Sequence, residues 1–202
     1  MDKAEKILQK KEVYRDMIRK VFPEDVTQKI WSGSKEKLGE ILQKYDGLPG
    51  GYRVHTEERI FPGAAVYLTL REYAGQETAL KIMDEAAAIG CEKINGSLRK
   101  LLSLPGMKSF FVKVWDPLTR KMFGPGNGFK NVFYPKEKDS FRMDILACPY
   151  CSYLTELGCP ELTRMFCEND DRVYGNLPGI VFERTGTLGK GASRCDFLIR
   201  KE

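Results

Sequence analysis

The side chains able to do chemistry crowd into the last third of this chain, where cysteines, aspartates and arginines recur at regular spacings. Cys148-Pro149-Tyr150-Cys151 follows an alternating apolar run and precedes a helical one, so Cys148 stands where a strand passes into a helix N-terminus. At that place the positive end of the helix macrodipole favours a thiolate. From Pro160 to about Tyr174 a helical step of about 100° per residue groups Leu162, Phe166, Val173 and Leu177 on one side. Thr163, Cys167, Asp170 and Tyr174 then form an adjacent stripe at its edge. A carboxylate bordering an apolar face beside a thiol loses hydration and its pKa rises, which suits a general base near neutral pH. Asp171 points further outward. Two carboxylates in the last turns of a helix oppose the macrodipole, and that unfavourable placement speaks for a function.

The rest of the chain must position these groups. Ile7, Leu8, Tyr14, Met17, Ile18, Val21 and Phe22 recur at helical spacing and predict one amphipathic helix. Pro23, Glu24 and Asp25 open a second helix, which carries Val26 to Tyr45 and is weakened in the middle by Gly33. The run 46–51, DGLPGG, is a turn, and the stretch after it holds the single histidine, His55, which reads as a surface residue. Helix resumes from Ala64 to Tyr73. After Gly75 a long helix follows, with Leu80, Met83, Ala87, Cys91, Ile94, Leu98, Leu101 and Leu102 as its apolar stripe. Cys91 on that stripe reads as a small core hydrophobe. A short helix from Met107 to Trp115 is predicted to close at Pro117.

The period then changes to two. Residues 129–134 and 140–147 read as one hairpin, and residues 180–184 and 195–200 as another, with Phe141, Met143, Ile145 and Ala147 sharing a face. The expected fold is α+β: N-terminal and central helices packed on a small antiparallel sheet formed by two C-terminal hairpins. The long helix 76–104 is predicted to cover the face bearing Phe141, Met143 and Ile145. A chain of 202 residues suits a single domain, with residues 1–50 as a helical extension and 61–202 as the ligand-binding or hydrolase part.

Composition narrows the function. With 42% apolar and 30% charged residues the chain falls in the ordinary globular class. The net charge of +5 is spread among acidic neighbours, so no basic stripe points to nucleic acid. No apolar run reaches the ~20 residues needed to span a bilayer, and the N-terminus lacks a cleavable apolar core. Six cysteines in a chain large enough to build a core read as reduced thiols in a cytoplasmic protein. Cys148, Cys151, Cys159 and Cys167 lack the second close pair of a zinc ribbon, so no metal and no other cofactor is expected. No histidine lies near enough in sequence to form a cysteine–histidine or serine–histidine relay. Cys-Pro-Tyr-Cys spells the glutaredoxin dithiol motif, but in that fold the motif lies near the start of the domain. Redox chemistry is therefore the third reading.

Taken in order, Cys148-Pro149-Tyr150, Glu161-Leu162, Phe166-Cys167, Asp170-Asp171, Phe182-Glu183-Arg184-Thr185, Thr187-Leu188, Gly191 and Cys195-Asp196-Phe197 resemble the L-2-amino-thiazoline-4-carboxylic acid hydrolase family. The similarity spans roughly residues 61–200. The tail from 182 to 199 also resembles the closing hairpin of vinyl-reductase-type small-ligand domains, which implies an α+β ligand-binding fold. The family resemblance implies hydrolysis that opens a thiazoline ring to an N-carbamoyl cysteine. Thr163 stands where relatives often carry another cysteine, a departure that weakens any thiolate metal site.

With the local physics, the catalytic candidates are Cys148 or Cys167 as nucleophile or polariser and Asp170 as base. Tyr150, Glu161, Asp171, Arg184, Arg194 and Cys195 are the substrate-binding candidates, with Arg184 or Arg194 pairing a substrate carboxylate. The expected partner is a small molecule, neither nucleic acid nor membrane, and a homodimer is compatible with the sequence. A ligand-binding or regulatory domain without turnover is the alternative reading.

Overall fold

The computed structural model describes residues 2–202. The helices that open the chain are α1 (Lys3–Leu8), α2 (Glu12–Arg19), α3 (Glu24–Lys44) and α4 (Gly50–His55), and a π-helical stretch, Thr56–Ile60, leads from α4 into α5 (Phe61–Leu102). Next come α6 (Met107–Met122), strands β1 (Lys130–Phe133) and β2 (Ser140–Ala147), helices α7 (Pro149–Glu156) and α8 (Thr163–Tyr174), and strands β3 (Ile180–Glu183) and β4 (Cys195–Lys201). The single N-terminal helix predicted from spacing is broken by a 3-10 turn at Gln9–Lys11. A break there lets Leu8 and the pair Met17 and Ile18 all turn inward.

The core of the helical layer is the first half of α5. From Ile60 to Leu70 every residue except Leu68 is buried, so this segment is apolar on all sides and is wrapped by α2, α3 and α8. Tyr67 lies there fully buried, its hydroxyl donating to Glu161 at 2.5 Å, while Arg71 donates to the same oxygen at 3.0 Å. Burial of a polar tip without such a partner would cost about 1–3 kcal/mol. At Gly75 the backbone turns to φ 73°, ψ 169°, and the helix changes direction. Beyond it Ala79, Ile82, Met83 and Ala86 continue the buried face. Ile94 and Leu101, placed on the predicted stripe, are instead exposed.

The four strands form one antiparallel sheet in the order β1-β2-β4-β3, so the two predicted hairpins meet through β2 and β4. Phe141 faces Ile199, Met143 faces Phe197 and Ile145 faces Cys195, and this row is the inner face. The long helix does not cover it as expected. Trp115 of α6, Phe123 just beyond it, Phe129 and Tyr150 pack there, and only Leu98 and Leu102 at the end of α5 reach the sheet, beside Ile180 and Ile199. Pro117 does not end α6. The helix runs on to Met122, since burying Phe111, Val112 and Thr119 outweighs the backbone hydrogen bond that proline removes. Among the described residues no helix is long and apolar enough to cross a membrane.

Candidate active site

The two helices after β2 meet the π-helical stretch on one side and the loop between β3 and β4 on the other. Cys148 leaves β2 with extended backbone and caps α7, so Tyr150 and Cys151 fall in the first helical turn. Tyr150 packs on Phe166 of α8, with ring centroids 5.0 Å apart. That contact fixes α7 against α8, and hence the thiols against the carboxylates.

His55 is fully buried, contrary to the surface position expected for it. The turn after residue 46 folds back as α4 and carries the imidazole in among the Phe123, Phe129 and Tyr150 rings. Its Nε2 lies 2.8 Å from the Met122 carbonyl, which can only accept, so Nε2 carries the proton. Nδ1 is then the acceptor for the Tyr150 hydroxyl at 3.1 Å. Burial lowers the pKa of His55 and keeps the ring neutral. Arg59, exposed overall, turns its guanidinium to the Tyr150 oxygen, whose ionised form pushes the pKa of Arg59 up. Burial pushes the Tyr150 phenol up in turn, against the pull of Arg59. Asp170 acts on this group too: its charge is felt at Arg59, Tyr150 and Tyr174.

Asp170 holds the centre of the arrangement. Its Oδ2 accepts from Arg184 at 3.0 Å, and Arg184 also donates to the Cys167 carbonyl at 2.8 Å and to Asp171 at 2.5 Å. The Arg184 side chain is 3% exposed and lies over the Phe182 and Phe197 rings, whose faces attract the cation. The other Asp170 oxygen has no hydrogen bond among the described residues. Protein surrounds most of the carboxylate although 35% of the side chain meets solvent, and burial lifts its pKa to about 6 against the pull of Arg184. Tyr174, one turn on, is pushed up to about 12 by burial.

Cys167 lies on the same helix under the loop 187–191. A β-carbon added at Gly189 would stand 2.7 Å from its sulfur and 3.0 Å from Thr163 Cγ2, so this approach requires glycine. Burial pushes the Cys167 thiol up. The Thr187 hydroxyl beside it is buried and makes no well-formed hydrogen bond. Cys195 is pushed up to about 12 by burial, and its sulfur accepts from the Leu188 N–H at 3.2 Å. Cys148 is pushed up by the hydrogen bond that its thiol gives Cys151, and by burial, while Cys151 is drawn down by that same bond.

The fold thus brings Cys167, Asp170, Asp171 and Arg184 into direct contact and sets Tyr150, between Cys148 and His55, within the field of Asp170. Two expected substrate-binding groups lie elsewhere. Glu161 is bonded to Tyr67 and Arg71 in the helical layer, and Arg194 pairs at 3.4 Å with Asp144 of β2. Arg184 is already paired with two carboxylates. Sequence reasoning put Tyr174 on the stripe of Cys167 and Asp170 without giving it a role, and missed His55 and Arg59, which lie in a segment whose π-helical turn leaves no periodic signature. A groove of about 360 Å³ lined by Arg142, Glu183, Arg184, Thr185 and Asp196 lies on the sheet side and shares only Arg184 with the site. A larger one of about 420 Å³ lies between α3, α5 and α7, away from the thiols and from Asp170. Among the described residues no three His, Cys, Asp or Glu side chains are placed to hold a metal ion.

Helices covering one face of a small antiparallel sheet, with thiols, a raised carboxylate and a buried arginine at their seam, define an α+β protein with a polar internal site. A family model for L-2-amino-thiazoline-4-carboxylic acid hydrolase matches residues 53–199, most of the chain, and the protein belongs to that family. No curated relative matches the chain. A solved structure from a study of haem distortion in the H-NOX family aligns with 14% identity over 85% of this chain and 93% of that one, at a TM-score of 0.29. A score that low carries no argument about fold or function.

Proposed function

We propose that the protein is a hydrolase that opens a small cyclic C=N substrate of the thiazoline-carboxylate type, with Asp170 as general base. The observation that carries this reading is the state of Asp170: one oxygen is fixed by Arg184, the other is unbonded, and its pKa of about 6 leaves it ionised yet basic at neutral pH. Water activated there adds to the ring carbon that is doubly bonded to nitrogen and singly bonded to sulfur. As the carbon–sulfur bond breaks, the added hydroxyl becomes the carbonyl and its proton goes to the ring nitrogen, while the proton taken by Asp170 passes to the departing sulfur, giving a carbamoyl group and a thiol. Cys148 and Cys167, both pushed up, are neutral thiols near pH 7, and this favours water over cysteine as the attacking group. With Arg184 occupied by Asp170 and Asp171, Arg59 is the cation best placed to meet the substrate carboxylate.

Asp170→Asn tests the reading. Product formation from L-2-amino-thiazoline-4-carboxylate, followed by mass spectrometry, should fall by about 10²–10⁴-fold, the usual worth of a positioned base. In the unmodified protein kcat/KM should decline as pH drops through about 6. Undiminished turnover by the Asp170→Asn variant would exclude the base. Stabilisation by the thiazoline without turnover would favour a ligand-binding domain that uses the same site.

A further inference from the structure

Cys148 and Cys151 take no necessary part in the hydrolysis, yet the fold sets them up as a pair. Cys148 is the N-cap of α7, with φ −133° and ψ 127°, and its carbonyl accepts the first helical hydrogen bond, from Ser152 N–H at 3.2 Å. Cys151 is therefore the third helical residue. These are the two positions that a capping box pairs, so their side chains share the first turn, although the Cys148 thiol makes no capping hydrogen bond. Here the two side chains are thiols, both unbridged and both partly exposed. The other four cysteines are placed differently: Cys91, Cys159 and Cys195 are buried, and Cys167 is pressed against Gly189.

We propose that Cys148 and Cys151 form a reactive dithiol that reduces small-molecule disulfides and closes to an intramolecular disulfide without a change of fold. The Cys151 thiolate attacks one sulfur of R–S–S–R. The S–S bond breaks, a Cys151–S–S–R mixed disulfide forms and one RS⁻ leaves. Cys148 then gives its proton to that thiolate and attacks the Cys151 sulfur, releasing a second RS⁻. The dithiol has lost two electrons and the small disulfide has gained two. The order of attack follows from the hydrogen bond between the thiols. Cys148 keeps the shared proton while Cys151 is an anion, and once Cys151 is covalently capped it loses the largest cause of its raised pKa, burial alone remaining. The oxidised pair brackets Tyr150, whose hydroxyl is bonded to His55, so the bridge forms beside the proposed site.

The experiment uses the full chain and bis(2-hydroxyethyl) disulfide, an uncharged probe that needs no ionic recognition. Unmodified protein should lose two hydrogens by intact mass, release two equivalents of 2-mercaptoethanol and yield a Cys148–Cys151 cross-linked peptide. Cys148→Ser keeps a good helix cap and so should fold; it should stop at the mixed disulfide on Cys151. Cys151→Ala should react at least about tenfold more slowly at this pair, because its remaining thiol is the more strongly protonated one. No loss of hydrogens, a bridge from Cys151 to Cys167, or wild-type reactivity of the Cys151→Ala variant would each overturn the proposal. None of these readouts depends on thiazoline turnover, so the dithiol and the hydrolase stand or fall separately.

Discussion

A single missing methyl group sets how closely the loop between β3 and β4 can press on the site. Gly189→Ala would place its β-carbon 2.7 Å from Cys167 Sγ and 3.0 Å from Thr163 Cγ2, closer than side chains pack. The substitution is expected to destabilise by about 1–3 kcal/mol, the usual range for overpacking. Much of that loss should be recovered in a Gly189→Ala, Cys167→Ala double variant, where the sulfur is gone. Chemical denaturation of the two single variants and the double variant gives the coupling energy, and additive values would disprove the contact. The opposite situation holds at Arg184. Its guanidinium has three acceptors within 3.0 Å, so its removal would leave Asp170 and Asp171 facing one another unpaired.

Among the elements, α5 depends most on one residue. Its kink rests on Gly75, whose φ of 73° and ψ of 169° fall in a region that only glycine occupies readily. Nothing lies within 4 Å of a β-carbon added there, so the effect of Gly75→Ala comes from the backbone alone. A cost of about 1–3 kcal/mol is expected, read as a lower melting temperature. Because the kink sets the direction of the second half of α5, the same variant should loosen the contact of Leu98 and Leu102 with Ile180 and Ile199. Faster hydrogen exchange confined to β3 and β4 would report it, and unchanged exchange there would separate the kink from the placement of the sheet.

For the whole molecule, two groups of the site, His55 and the half-buried Asp170, oppose one another as pH falls. His55 has a folded pKa below its ordinary 6.5, so the unfolded chain takes up a proton that the folded chain refuses. Stability is therefore lost as pH drops below about 6.5, until the folded ring also protonates. Asp170 has the reverse sign. Its folded pKa of about 6 exceeds the ordinary 3.8, so between those values the folded chain holds the extra proton and gains stability as pH falls. His55→Gln should cost about 1–3 kcal/mol at pH 8 through imperfect replacement of its buried hydrogen bonds. It should also flatten the fall in melting temperature between pH 7 and pH 5, whereas Asp170→Asn should steepen it. Parallel pH profiles for wild type and both variants would show that neither group governs acid stability.

Local pattern was enough to read several features from the sequence alone. Alternation marked the four strands, glycine marked the break at Gly75, Cys-Pro-Tyr-Cys marked the passage from strand to helix, and the helical period put Asp170 at the edge of an apolar face. Each of these rests on residues a few positions apart, where backbone geometry leaves little choice. An apolar face requires a partner without naming it, so only the tertiary structure decided that α6, and not the second half of α5, covers the row from Phe141 to Ile145. The same holds for the site. His55 meets Tyr150 across 95 positions, Glu161 is taken by Tyr67 across 94, and Arg184 reaches Asp170 by way of the sheet. Such pairings follow from how the layers stack, and burial of the whole core fixes that stacking through contacts that no short stretch of sequence contains.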